Sequence, residues 1–139
     1  MSQENLSHFV KAQQGIYQNA LKEIKGGRKR SHWMWFIFPQ IDGLGFSEMS
    51  KRYSIQDIRE AEAYLAHPIL GVRLIAISRE LLNLSGSDAR IIFGSPDDMK
   101  LRSSMTLFSC IPGSDEVFGL VLKKFFDGNK DPHTLALLK

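Results

Sequence analysis

The stretch PILGVRLIAISRELL, residues 68–82, decides the fold class of this chain. Its apolar side chains recur three and four positions apart, which is the spacing of an α-helix that turns one face toward a core. His67-Pro68 breaks the chain before this helix, because a residue that precedes proline disfavours the α region. Proline is tolerated in a first helical turn, and Ser85-Gly86-Ser87 predicts the end. The core-facing residues are Ile69, Leu70, Leu74, Ile75, Ile77, Leu81 and Leu82.

Helices are also predicted on the N-terminal side of this stretch. Residues 6–24 carry apolar side chains at helical spacing and predict one amphipathic helix of about five turns. Ser47 is placed to cap a short helix. Asp57 and Glu60 have the spacing of a capping box, so a further helix through Ala66 is predicted.

On the C-terminal side, residues that are placed to cap helices predict the starts of three more helices. Ser95, followed by proline and two aspartates, predicts a helix that reaches about Ser109. Ser114 is placed to cap a helix that Gly128 ends, and Asp131-Pro132 begins a last short helix. The sequence therefore predicts an all-α fold, a compact single-domain bundle of roughly six to eight helices over residues 1–139.

The length, composition and charge of the chain restrict the classes of protein to which it can belong and the partners that it can bind. The 139 residues suffice for one core, and 43% hydrophobic with 24% charged residues is typical of a globular domain. No apolar run is long enough to span a membrane, and the polar residues 1–8 do not resemble a signal sequence. With Cys110 as the sole cysteine, a cytoplasmic protein is expected. A net charge of +3 makes nucleic acid an unlikely partner and favours a small anionic ligand.

The first candidate site is the segment from Gly26 to Gln40, called here the basic-aromatic segment. Gly26-Gly27 end the first helix, and the apolar run at residues 33–38 favours a short helix. Indole faces stack on flat rings, and guanidinium groups bind phosphate oxygens in pairs. Alternatively, the aromatic residues belong to the core and the charges form a solvated helix end. The candidate ligand-binding residues are Arg28, Lys29, His32, Trp35 and Gln40.

The second candidate site is the helix that follows Ser95. Lys100, Ser103 and Thr106 are spaced to line a polar cleft, whereas the aspartates in the first turn would repel an anion at the helix terminus itself. The alternative is that the hydroxyl groups bond back to helix carbonyl groups. Glu60 and Asp98 are the candidates for general acid-base chemistry. The four histidines have no metal-ligand spacing and no nucleotide fingerprint is present, so neither a metal nor a cofactor is predicted.

Four stretches resemble a known family. They are FVKAQ at residues 9–13, KRSHWMWFIFPQ at 29–40, AYLAHP at 63–68 and DMKLRSSMTLF at 98–108. Together they are similar to the family called domain of unknown function 1810, and the resemblance extends from about Leu6 to Leu138. Members are small, mainly helical bacterial proteins, some of which carry the label calpastatin, which nothing in this sequence supports. The resemblance implies a helical fold and supplies no activity.

A second, fainter resemblance is to the NADAR family, which includes N-glycosidases that act on ADP-ribose-linked or ribosylamine substrates. It is carried by Lys100 in a lysine-containing helix and by the later pair Lys124-Phe125. The resemblance implies a phosphorylated ribose derivative as ligand, held by Arg28, Lys29 and Lys100, with Trp35 stacked on a ring.

Two classes of function are therefore predicted. The first is a domain that binds a small anionic, nucleotide-like or ADP-ribose-like ligand and hydrolyses an N-glycosidic bond. The second is a non-catalytic interaction module whose face at residues 33–38 docks a protein partner or a second copy of the chain. A concave site with polar groups favours the first class, and an exposed convex apolar patch favours the second.

Overall fold

Helices make up the regular structure of residues 6–139, the part of the chain that this computed structural model describes. The predicted all-α class is confirmed, but the described residues form ten helices rather than six to eight. The two additional helices come from a break in the helix predicted over residues 6–24 and from a short helix at residues 89–93. Most of the polar segment at residues 1–8 lies outside the described residues. In chain order the helices are α1 (Ser7–Gln13), α2 (Tyr17–Lys25), α3 (Met34–Ile37), α4 (Glu48–Arg52), α5 (Ile58–Ala66), α6 (Leu70–Leu82), α7 (Ala89–Phe93), α8 (Asp97–Ser109), α9 (Val117–Phe126) and α10 (Pro132–Leu137).

The prediction of a single helix over residues 6–24 is wrong, because the chain breaks between α1 and α2. Gln14 is extended, and Gly15 has φ +75°, a left-handed conformation that glycine adopts without a steric penalty. The break turns Gln13 inward, where it is 1% exposed and bonds to the carbonyl oxygen of Phe36 at 2.8 Å. Ile16, predicted on the buried face, is 37% exposed.

Side-chain caps account for several helix starts. Ser47 Oγ accepts from Ser50 N at 3.1 Å, as predicted for α4. Asp57 Oδ1 accepts from Glu60 N at 2.9 Å, as the capping box predicts for α5. Asp131 begins α10, again as predicted.

Two predicted caps are wrong. Ser95 makes no capping bond to α8, which begins after Pro96, and the amide of Asp98 instead bonds to the carbonyl of Gly94 at 2.9 Å. In α9 the amide of Val117 bonds to Asp115 Oδ1 at 2.9 Å, not to the hydroxyl group of Ser114. In both cases a neighbouring backbone or carboxylate oxygen is the better placed acceptor.

Helix α8 lies in the middle of the core. It packs against α5, α7, α9 and α10, and its buried residues lie on most of its circumference. Leu101, Met105, Leu107 and Phe108 are fully buried. The small hydroxyl residues Ser104 and Thr106 are also fully buried. Side chains on the first turns of α8 therefore have a rigid support.

Helix α6 confirms the helix that the pattern of apolar residues at 68–82 predicted. It packs against α2, α5 and α9, and Leu70, Leu74, Ile77 and Leu81 are buried as predicted. Ile69 precedes the helix and is 40% exposed. His67 assists the start of α6, because its Nδ1 accepts from the amides of Ile69 and Leu70 at 3.1 and 3.3 Å.

A backbone bridge fixes the loop between α3 and α4. Ile41 pairs in parallel with Ile55, and Ile55 N donates to Gln40 O while Asp42 N donates to Ile55 O, both at 2.8 Å. Both isoleucines are buried. The bridge holds the chain after Gln40 against the segment that precedes α5. Over residues 6–139, no helix has the length and apolar character needed to cross a membrane.

Candidate functional site

Asp97 joins the basic-aromatic segment to helix α8. Its Oδ2 lies 3.0 Å from Nζ of Lys29, and its Oδ1 lies 3.2 Å from Nζ of Lys100. Each lysine also lies over an indole ring, Lys29 at 5.2 Å from the centre of Trp33 and Lys100 at 5.0 Å from the centre of Trp35. The two segments singled out in the sequence therefore lie side by side.

The two tryptophans have different environments. Trp33 is fully buried, packs against Phe38 and Phe93, and donates from Nε1 to Glu23 at 2.9 Å. Trp35 is only half-buried and lines a pocket. Trp33 is therefore a core residue, and Trp35 is the tryptophan that a ligand can reach.

The pocket beside Trp35, called here the Trp35 pocket, is an open cavity of about 400 Å³. Its walls are the loop that follows Gln40, the first two turns of α8 and the start of α10. This volume is in the range of small-molecule sites. Its lining residues are Trp35, Gln40, Leu44, Gly45, Phe46, Ser47, Ser50, Pro96, Met99, Lys100, Ser103, Asp131 and His133.

Asp131 is the buried acidic residue of the Trp35 pocket. Its Oδ2 accepts from Ser103 Oγ at 2.8 Å and from Thr134 Oγ1 at 2.6 Å, and its Oδ1 accepts from His133 N at 3.3 Å. Burial acts to raise the pKa of Asp131, but the hydrogen bonds from Thr134 and Ser103 and from two backbone amides outweigh it, so the pKa is lowered. Asp131 therefore remains a carboxylate at neutral pH.

Helix α8 fixes the backbone of Asp131 from two sides. Arg102 donates from Nε to Asn129 O at 2.8 Å and from Nη2 to Lys130 O at 2.9 Å. Thr106 Oγ1 accepts from Asp131 N at 2.9 Å. These bonds hold the start of α10 against α8, so the carboxylate is rigidly positioned.

The two hydroxyl residues predicted on α8 have different positions. Ser103 lines the Trp35 pocket, and its Oγ lies within hydrogen-bond distance of both Met99 O and Asp131 Oδ2. Thr106 is fully buried and donates to Arg102 O at 2.8 Å. The alternative of bonding back to helix carbonyl groups thus applies to Thr106 and in part to Ser103.

Of the predicted ligand-binding residues, Trp35, Gln40, Lys100 and Ser103 come together in the Trp35 pocket. Arg28 and His32 are exposed on the preceding loop, outside this pocket. Lys29 does not line the pocket, but its side chain, 9% exposed, contacts the same aspartate as Lys100. Thr106 does not line the pocket either, and its Oγ1 accepts from Asp131 N.

Neither candidate for acid-base chemistry lines the Trp35 pocket. Glu60 belongs to the capping box of α5, where its Oε1 accepts from Gln56 N at 3.0 Å. Asp98 is buried at 7% exposure, and its Oδ1 has no hydrogen-bond partner among the residues described. The acidic residue at the pocket is instead Asp131, whose position before a proline predicted only a helix cap.

Glu23, which was not predicted as a site residue, organises the basic-aromatic segment. Its Oε1 accepts from Arg30 N at 2.7 Å and from Ser31 N at 3.0 Å, and its Oε2 accepts from Ser31 Oγ at 2.7 Å. Burial acts to raise the pKa of Glu23, but these bonds and the one from Trp33 outweigh it and lower the pKa to about 2. A glutamate in the last turn of a helix before a basic loop was the available signal.

A second cavity of about 520 Å³ lies between the end of α2, the loop after α6 and α7. Its wall includes Ile91 and Ile92, with Lys25 and Asp88 as its charged residues. It lacks an aromatic ring and a buried polar side chain, so it offers less chemistry than the Trp35 pocket. Within residues 6–139, no three His, Cys, Asp or Glu side chains are grouped closely enough to hold a metal ion.

Lys124, one of the residues in the NADAR resemblance, lies outside the Trp35 pocket. Its Nζ donates to the carbonyl oxygens of Leu81 at 3.0 Å, Leu82 at 3.1 Å and Leu84. These carbonyl groups end α6, so Lys124 caps the C-terminus of that helix. Lys100 and Lys124 do not share a site.

Comparison with known proteins agrees with this fold. The profile of the family described as "protein of unknown function (DUF1810)" matches residues 3–138. The crystal structure of the conserved hypothetical protein Rv1873 from Mycobacterium tuberculosis is similar, with a TM-score of 0.93 and 45% identity. The match covers 96% of this chain and 95% of that chain. No curated protein matches. The chain belongs to the DUF1810 family of proteins of unknown function.

Proposed function

We propose that the Trp35 pocket binds a small anionic ligand that carries a flat ring, of the nucleotide or ADP-ribose type. One observation carries the proposal: an ammonium group and a partly exposed indole meet at 5.0 Å in the wall of a concave cavity. A lysine attracts phosphate, and an indole face is a platform for a base.

The lining residues have complementary roles in this proposal. Lys100 binds the anionic group, and when it turns toward that group it uncovers the face of Trp35 for a ring. Asp131, a buried carboxylate, and Gln40 are suited to accept hydrogen bonds from sugar hydroxyl groups. Phe46, 87% exposed, borders the opening and adds an apolar wall for the bound ring.

The burial of residues 33–38 argues against the alternative of an interaction module that uses this face. Trp33, Met34, Ile37 and Phe38 are at most 2% exposed, and Phe36 is 7% exposed. A partner that docks here reaches only the side chain of Trp35. The segment therefore lacks the convex apolar patch that such a module requires.

Hydrolysis of an N-glycosidic bond is the second candidate function, and Asp131 favours it. In this reaction the oxygen of water bonds to the anomeric carbon and releases a proton, the C–N bond breaks, and the departing nitrogen keeps the electron pair of that bond and takes up one proton in exchange. The sugar carries positive charge in the transition state, which a fixed carboxylate stabilises. Asp131 is held ionised at the pocket wall and is better placed for this role than Glu60 or Asp98.

Isothermal titration with AMP, ADP-ribose and ribose 5-phosphate tests the binding proposal. We expect saturable binding to the wild type that Lys100→Met and Trp35→Leu each weaken at least about tenfold. The first variant removes the charge that binds the anionic group, and the second removes the indole face that stacks on the ring. Lys123→Met is the matched control, because it removes an exposed lysine from α9, outside the pocket. If none of the three compounds binds the wild type, the proposal is wrong.

Release of free base from NAD, ADP-ribose and AMP, followed by chromatography, tests the second candidate. Asp131→Asn retains one side-chain oxygen to cap α10 but removes the negative charge, so it should abolish hydrolysis while binding is weakened and not lost. If the wild-type protein binds a ligand without cleaving it, the hydrolysis candidate is wrong and only the binding function stands.

A further inference from the structure

We propose that Asp97 competes with the ligand for Lys100 and thereby lowers the affinity of the Trp35 pocket for anionic ligands, while its affinity for neutral ligands is unaffected. The inference rests on the proposed binding function and concerns the electrostatics of the same pocket. Asp97 acts through Lys100 and is not itself a lining residue.

The geometry gives Asp97 two partners of unequal accessibility. Lys29 is the inner partner, with a side chain 9% exposed, and it also contacts Trp33. Lys100 is the outer partner, with a side chain 24% exposed, and it lines the Trp35 pocket. When Lys100 turns to a ligand, Asp97 still has Lys29, so the carboxylate is not left unpaired.

The balance of charge around the pocket makes this competition effective. Lys29 and Lys100 both pair with Asp97, and the carboxylate of Asp131 lines the same pocket as Lys100, so the charges of these four groups sum to zero. Removal of the charge on Asp97 leaves an excess of one positive charge beside the cavity. An incoming anion then meets a lysine that no carboxylate holds.

The effect is specific to charged ligands, because every anion must separate Lys100 from Asp97. This separation costs free energy, and the carboxylate of Asp97 also repels the ligand, more strongly as the negative charge of the ligand grows. Asp97 therefore weakens the binding of a phosphate monoester with two charges at least as much as that of an anion with one charge. A neutral ligand that contacts only the ring and the sugar-binding groups is insensitive to Asp97.

Titration of AMP and of the uncharged nucleoside adenosine into wild type, Asp97→Asn and Asp97→Glu tests the inference. We expect Asp97→Asn to bind AMP about tenfold more tightly than the wild type, with adenosine binding unchanged. Asp97→Glu should restore wild-type affinity. Asp97→Ser is a second variant without the charge, and Asp115→Asn is a control that breaks the ion pair with Arg79 outside the pocket.

The outcomes separate this inference from the proposed function. If the wild type binds AMP and Asp97→Asn and Asp97→Ser bind it equally or less well, or gain equally for adenosine, the inference is overturned and the proposed function stands. If only the variants without the charge bind AMP, the inference holds and the proposed function of the wild type is wrong. If no form binds AMP, both are overturned.

Discussion

The ammonium group of Lys100 lies 5.0 Å from the centre of the Trp35 ring, although the two residues belong to different helices, α8 and α3. A partly desolvated contact of this kind contributes about 1 kcal/mol. It also determines which side chains a ligand meets first, because both residues line the pocket and the neighbouring Trp33 is enclosed by the core.

Acrylamide quenching should distinguish the two tryptophans, which are the only ones in the chain. Trp33→Phe leaves Trp35 as the single reporter, and acrylamide should quench its fluorescence because the ring is partly exposed. Trp35→Phe leaves only the fully buried Trp33, and quenching should be several-fold weaker. Equal quenching of the two variants would contradict the placement of Trp35 at the pocket.

Two helical glycines should respond oppositely to alanine. A Cβ at Gly71 would lie 1.9 Å from the carbonyl oxygen of Leu65, so Gly71→Ala should destabilise the protein by about 3 kcal/mol. A Cβ at Gly119 in α9 meets nothing within 4 Å, and Gly119→Ala should stabilise by up to about 1 kcal/mol. Urea unfolding of both variants measures the difference. A mild effect at Gly71 would show that α5 and α6 are not this close.

The stability that Glu23 gives to the fold should be lost in acid. Its folded-state pKa of about 2 lies below the ordinary value of 4.5, so an unfolded chain takes up the proton first as pH falls. The ionised residue therefore stabilises the fold above about pH 4.5, and this contribution is lost between pH 4.5 and about pH 2. Because the residue is partly exposed, we expect about 1 kcal/mol.

Unfolding of Glu23→Gln over this pH range measures the effect. The variant should be less stable than the wild type at neutral pH, and the difference should shrink as the pH falls toward 2. Glu62→Gln, an exposed glutamate of α5, is the control and should follow the wild type. A gap that stays constant with pH would mean that the charge of Glu23 is not what stabilises the loop.

Local patterns in the sequence predicted most of the fold. The buried face of α6 and the caps at Ser47, Asp57 and Asp131 follow from residues within one or two turns of each other. The break at Gly15 was missed because a lone glycine within a helical pattern is tolerated in many helices.

The candidate site was predictable only as two halves. The residue patterns placed Trp35 and Lys100 in separate candidate sites, and only the NADAR resemblance combined them, because their contact depends on how α3 packs beside α8. Asp97 and Asp131 were interpreted as helix-start residues, because nothing local shows that each also faces a side chain from a distant segment. Glu23 went unnoticed for the same reason.

Gln13 links the core to the pocket, and its replacement should affect both. Its Nε2 donates to Phe36 O at 2.8 Å and to the hydroxyl group of Tyr64 at 3.1 Å, and its Oε1 accepts from Arg73 Nη1 at 3.2 Å. Gln13→Leu removes all three bonds and leaves the carbonyl group of Phe36 without this donor, so we expect a loss of about 3 kcal/mol.

A double-mutant cycle with Tyr64→Phe shows whether these groups act as one network. Tyr64→Phe alone should cost about 1 kcal/mol, because Gln13 keeps its bonds to Phe36 and Arg73. In the Gln13→Leu background the hydroxyl group has already lost this donor, so its removal should cost nothing further or restore some stability. Since Phe36 adjoins Trp35, Gln13→Leu should also weaken AMP binding, whereas Tyr64→Phe should not. Additive effects would instead mean that Gln13 and Tyr64 stabilise the core independently.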